Sequence, residues 1–116
     1  MSIWTHVNGN IRFDGIEYNN LPKVDDYDTP RGSEGPLEYH YQIVGTGFVM
    51  ANLTIWGDLR DYDDVEEIID WIKNITKNAL VRSGVIEINA ENRDSKILMY
   101  YGDYEWEIEQ TKKENL

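Results

Sequence analysis

One stretch of the chain carries a convincing helical period, and segments of strand period lie before and after it. Val65, Ile68, Ile69, Ile72, and Ile75 or Thr76 recur at three- and four-residue spacing, which places them on one apolar stripe, with Trp71 flanking it. Asp63 suits the N-cap, and Glu66 three residues on completes a capping box. Asp64 and Glu67 match the positive end of the helix dipole, and Lys73 and Lys77 the negative end. Burying four such aliphatic side chains contributes roughly 6–12 kcal/mol before entropy is subtracted. A lone helix of this kind, between strands, has to bury its stripe against a sheet.

The strands read as follows. Ile3 to Val7 has strand composition, Asn8-Gly9-Asn10 is a turn or bulge signal, and Ile11-Arg12-Phe13 is extended again. The first strand is therefore either long with a bulge or folded as a hairpin. From Asp14 to Pro36 glycine and proline punctuate a long loop, with room for a short helix over Ile16 to Leu21. Leu37, Tyr39, Tyr41 and Ile43 alternate with Glu38, His40 and Gln42; Gly45-Thr46-Gly47 turns the chain; Phe48 to Ile55 pairs back as an antiparallel hairpin. The segment from Gly57 to Tyr62 reads as a glycine-hinged polar turn. After the helix, Val85 to Asn89, Lys96 to Tyr101 and Tyr104 to Glu109 are strands, with turns at Glu91 to Asp94 and at Gly102-Asp103. Glutamates on the last strand guard a sheet edge. Gln110 to Leu116 reads as a frayed tail. The expected fold is α+β, an antiparallel sheet of five to six strands with one main α-helix packed on one face, in a single domain over residues 1–116.

Charge narrows the function. Twenty-two acidic against eleven basic residues give a net charge of −11, which opposes binding to long nucleic acid or an anionic membrane. The absence of cysteine excludes disulfides and thiolate metal sites and fits a reducing compartment. No signal peptide is visible, and no apolar run approaches the roughly 18 residues of a membrane span.

The candidate chemistry is that of binding. His6 and His40 lie on separate strands without a ligand spacing, so no metal site is expected. Asp58, Asp61, Asp63 and Asp64 lack the alternation and the terminal glutamate of a calcium loop. Arg31-Gly32-Ser33-Glu34-Gly35-Pro36 is a glycine loop able to turn backbone N–H groups toward an anion, with Arg31 alongside; an ordinary turn is the competing account. Arg60 is a lone cation among aspartates, either pinning the turn or meeting a phosphate, with Trp56 or Tyr62 stacking on a base.

Three fragments together, Trp4-Thr5-His6-Val7-Asn8-Gly9, Gly32-Ser33-Glu34-Gly35 and Gly57-Asp58-Leu59-Arg60-Asp61-Tyr62-Asp63-Asp64, resemble a widespread set of small proteins encoded by phages of Gram-positive bacteria. The likeness spans most of the chain, and the last fragment is the most specific. The resemblance points to the anti-CBASS sponges, which bind cyclic nucleotide signals of anti-phage immunity without cleaving them. It implies a non-enzymatic protein of the infected host's cytoplasm, needing no cofactor, with a cyclic oligonucleotide as its partner.

The resemblance supplies no binding-residue pattern, so the site is chosen on chemistry. Trp56 and Tyr62 stack on bases; Arg31, Ser33, Arg60 and the loop N–H groups hold phosphates, with Arg12 as a further cation. Thr5 and His6 add base or ribose hydrogen bonds, and Gly32, Glu34 and Asp58 complete the two loops. A sheet that one helix cannot fully cover suits a homodimer, with a nearly symmetric ligand near the two-fold axis. The competing reading is an acidic, DNA-mimicking inhibitor of a host defence enzyme.

Overall fold

A computed structural model of the chain describes residues 2–15, 22–44, 49–91, 95–100 and 105–111. Among these, the elements run β1 (Trp4–Gly15), a single 3-10 turn (Val24–Asp26), β2 (Arg31–Gly32), β3 (Gly35–Pro36), β4 (Glu38–Val44), β5 (Val49–Arg60), α1 (Val65–Thr76), β6 (Val81–Ala90), β7 (Ser95–Tyr100) and β8 (Trp106–Thr111). Six strands form one sheet in the order β4-β5-β1-β6-β7-β8, every neighbouring pair antiparallel, and β2 and β3 form a separate two-stranded ribbon. The expected antiparallel sheet and single helix are therefore present, with β structure dominant. No helix among the described residues is long and apolar enough to cross a membrane.

Strand alternation sorts the side chains into two faces. Val7, Ile11 and Phe13 of β1, Ala51, Leu53, Ile55 and Leu59 of β5, Ile86 and Ile88 of β6, and Leu98 of β7 are buried. They share one apolar cluster with Val65, Ile68, Ile69, Trp71, Ile72 and Ile75 of α1. The intervening residues, among them His6, Asn8, Asn10, Met50, Trp56, Asp58, Val85 and Glu87, are exposed or half-buried. Trp71, expected at the edge of the helical stripe, lies within it, only 4% exposed.

Five local expectations need correction. Asn8-Gly9-Asn10 neither turns nor bulges: β1 pairs without interruption through it, and the register irregularity falls at Arg12/Phe13. Gly9 serves close strand approach instead, since a Cβ there would lie 2.8 Å from Ile86 Cα and from Val85 O. Gly57 to Arg60 is not a turn but the end of β5, paired with Trp4 to Val7. Gly57 keeps the inward alternation of Ile55 and Leu59, and Leu37 fills the space over it, its Cδ2 3.0 Å from where a Cβ would be.

The helix cap is Asp64 rather than Asp63, its carboxylate accepting from the Glu67 N–H at 3.2 Å. The Asp14–Pro36 loop contains the 3-10 turn and the β2–β3 ribbon, and β8 continues through Gln110 and Thr111, so the tail begins later than expected. The expected helix over 16–21 and the turns at 45–47, 92–94 and 102–103 lie outside the described residues.

Candidate functional site

The glycine loop meets the end of β5. Gly35, at φ +141°, takes a backbone conformation that glycine allows, and it lets the chain reverse between β2 and β3. Leu37 N–H donates to Pro30 O at 2.9 Å and closes the base of the ribbon. At its tip, Ser33 N–H donates to Arg60 O at 2.9 Å. Gly32 lies so close to the Arg60 backbone that a Cβ would be 2.8 Å from its N and 2.9 Å from its O. The two segments, 28 residues apart in sequence between Gly32 and Arg60, thus form one corner.

The charges at that corner are already engaged. Arg60 Nη1 is 3.2 Å from Glu34 Oε1, its Nε donates to Ser2 Oγ at 2.9 Å, and Asp61 Oδ2 lies 3.9 Å from Nε. Ser33 Oγ donates to Asp61 Oδ2 at 3.3 Å. Arg31 is exposed on β2. The corner therefore holds the Arg60 guanidinium and the Ser33 hydroxyl, with one backbone N–H committed to docking, and sets Glu34 and Asp61 against them; Arg31 precedes the docked Gly32 in the chain.

Asp61 adopts φ +53°, and this left-handed residue turns the chain off β5. The next residue, Tyr62, consequently points inward and is 8% exposed. Burial, reinforced by Glu67, pushes its phenol well above the ordinary tyrosine range. Thr5 is fully buried and its hydroxyl donates to Tyr62 O at 2.5 Å. These two residues, expected to touch a ligand, instead tie β1 to the segment entering α1. Trp56 is 42% exposed on the outward face, next to Asn8 of β1 and Glu38 of β4, so it does not pair with Tyr62 around a common ring.

His6 and Asp58 do come together. Nδ1 of His6 is 2.6 Å from Asp58 Oδ1, and Nε2 is 3.6 Å from Glu91 Oε2. The hydrogen bond from Asp58 is the main cause that raises the His6 pKa above its usual value; slight burial opposes it, and Glu91 adds to it. Both ring nitrogens thus face carboxylates, which suits a charged structural bridge between β1, β5 and the end of β6. Among the described residues no group of three His, Asp or Glu side chains is placed to hold a metal ion.

A second feature escaped the sequence reading. Lys73, Lys77, Tyr100 and Trp106 line a recess of about 470 Å³ between the end of α1 and β8. The lysines read locally as dipole partners and Trp106 as an edge-strand aromatic; only the pairing of β7 with β8 brings them together. Comparison of the chain with protein-family models, curated proteins and solved structures gave no match.

Proposed function

We propose that the protein is a non-catalytic binder that sequesters a cyclic nucleotide signal of anti-phage immunity in the cytoplasm of the infected host. The resemblance to the phage sponges supplies the ligand class. The observation that supports the site is the docking of Gly32 and Ser33 on Arg60, which brings the glycine loop that follows Arg31 to the end of β5. In this reading α1 covers the buried face of the sheet, and the outward face with Trp56 stays available to the nucleotide and to a second copy of the chain.

The ion pair at the corner sets the energetic condition. Arg60 and Glu34 side chains are 42% and 56% exposed, so their pair is worth only about 0–1 kcal/mol. A phosphate accepting two charge-assisted hydrogen bonds from the same guanidinium gains more, on the order of 1.5–3 kcal/mol per bond, and displaces Glu34. Sequestration then needs a slow off-rate rather than turnover. Thr5 and Tyr62 act by holding the corner in place, not by touching the guest.

The test is a thermal-shift panel of cyclic di- and trinucleotides followed by chromatography of the recovered ligand. A rise in melting temperature with intact ligand supports sequestration, and conversion of the ligand overturns it. Glu34→Gln is expected to tighten binding several-fold, and Arg60→Ala to weaken it by roughly tenfold or more.

One observation favours the competing inhibitor reading. Asp28, Asp64, Glu66, Glu67 and Asp70 surround a groove of about 480 Å³ floored by Trp71. Silence across the nucleotide panel, with capture of a basic host enzyme that charge reversal at Glu66 and Asp70 abolishes, selects that reading.

A further inference from the structure

We propose that the recess between the last turn of α1 and β8 is a seat for a phosphorylated aromatic molecule of nucleotide size. For its ligand class the proposal rests on the nucleotide reading above. It places that ligand in a different part of the molecule, beyond β6 from the Ser33–Arg60 corner.

The recess has a fixed ring. Trp106 donates its indole N–H to Thr76 Oγ1 at 3.1 Å. It meets Tyr100 edge-on, with centroids 5.3 Å apart and planes at 68°. Its benzo edge lies over Gly84, where a Cβ would be 2.7 Å from Cη2. Three constraints on a half-buried indole leave little rotamer freedom to lose on binding, which is the condition for a preformed stacking surface.

The recess also has unspent cations. Lys73 and Lys77 are one helical turn apart and exposed. Among the described residues neither ammonium pairs with a carboxylate, whereas Arg60, Arg82 and Lys96 sit on Glu34, Asp14 and Glu66. Among the described lining residues one is an acid, Glu105. Two lysines against one glutamate make this a locally cationic patch in a chain of net charge −11.

The negative end of the helix dipole opposes an anion here. Its carbonyl fringe, however, is largely occupied. Ile75 O accepts from Lys23 N–H at 3.0 Å, Thr76 O from Ala79 N–H at 3.1 Å, and Ile72 O from the Thr76 hydroxyl at 2.7 Å. The helix end amounts to roughly half an elementary charge, so the two ammoniums set the sign of the field at the mouth. In the assigned pose Lys73 and Lys77 hold the phosphate, the base lies on the open part of Trp106, and Glu105 accepts from a ribose hydroxyl or an exocyclic amine. The volume of about 470 Å³ falls in the range of small-molecule sites.

The experiment is a titration of the isotope-labelled chain with AMP, cyclic di-AMP and inorganic phosphate, followed by amide and indole N–H resonances. A nucleotide is expected to move the Trp106 indole N–H and the Lys73 and Lys77 amides. The paired change Lys73→Gln and Lys77→Gln weakens that binding by at least about tenfold, and Glu105→Gln strengthens it several-fold. All three side chains are exposed, so an unchanged melting temperature verifies that the variants fold. A silent Trp106 indole with every probe overturns the proposal, as does equal affinity for AMP and phosphate. Nucleotide-induced shifts confined to Ser33, Arg60 and Trp56 also overturn the recess while leaving the corner standing. Shifts at Trp106 with the corner silent uphold the recess and move the sequestration site there.

Discussion

Gly32→Ala tests the corner most directly, because the added methyl has nowhere to go. It would stand 2.8 Å from Arg60 N, 2.9 Å from Arg60 O and 3.0 Å from Leu59 Cα. All three are atoms of a strand paired on both sides, with β1 and, further up, with β4, so β5 does not give way. The ribbon must lift instead. Lifting breaks the 2.9 Å bond from Ser33 N–H to Arg60 O, worth about 0.5–1.5 kcal/mol net. The weak exposed contacts of Glu34 and Ser33 go with it and add roughly 0–1 kcal/mol. The damage stops at the bond between Leu37 N–H and Pro30 O, which does not depend on residue 32. The total is about 0.5–2.5 kcal/mol, well short of unfolding a domain whose core lies elsewhere. Hydrogen exchange reads the effect locally: the Ser33 amide, protected in the parent chain, exchanges at the rate of an open loop in the variant. Melting temperature falls by several degrees, and the nucleotide binding proposed for the corner is expected to be lost with it. A protected Ser33 amide in the alanine variant, with an unchanged melting temperature, refutes the claim that glycine is there for close approach.

Two further outcomes follow from the same geometry. Gly84→Ala drives a Cβ to within 2.7 Å of Trp106 Cη2, and the indole is tethered at Thr76, so overpacking costs about 1–3 kcal/mol by denaturant unfolding; no change in the transition midpoint contradicts it. The raised pKa of His6 makes the folded state bind its proton more tightly than the unfolded chain does. Its stabilisation is therefore complete below about pH 6.5 and fades as pH rises through the folded-state value. Asp58→Asn returns the His6 midpoint toward the ordinary value and flattens that dependence, which imidazole resonances followed through a pH titration measure directly.

Local patterns revealed those parts of the fold whose partners are near in sequence. The β4–β5 hairpin, the β6–β7–β8 meander and the apolar stripe of α1 all follow from alternation or three-and-four spacing over short distances. The central position of β1 does not. It pairs with β5 and with β6, 34–56 and 68–85 residues away in sequence, and nothing within residues 4–15 marks that register. Glycine misled the reading twice for one reason. Gly9 and Gly57 signal turns when only the flanking residues are considered, yet both sit in continuous strands where a neighbour occupies the space of the missing side chain. The meeting of the Gly32 loop with Arg60 was anticipated, but the inward turn of Tyr62 depends on the left-handed Asp61, which sequence does not announce.

The distribution of charge explains why the choice between the corner and the recess is a physical one. At ordinary salt the screening length is about 8–10 Å, so an approaching phosphate senses the few side chains around its seat more than the net −11 of the chain. What matters is how many cations at each seat are free of carboxylates. At the corner Arg60 faces Glu34 and Asp61, and a guest must first displace an ion pair, although a weak one. In the recess, among the described residues, Lys73 and Lys77 meet one carboxylate, Glu105, and the ring beside them is already fixed. The corner offers bidentate guanidinium geometry and must be cleared; the recess offers unpaired ammoniums as point charges and is preformed. A neutralising substitution therefore raises affinity at either place, but by different amounts. Removing Glu34 exposes a cation that was spent, while removing Glu105 only deepens a field that was already positive, so the larger gain in affinity marks the seat where the phosphate competes with the protein's own carboxylate.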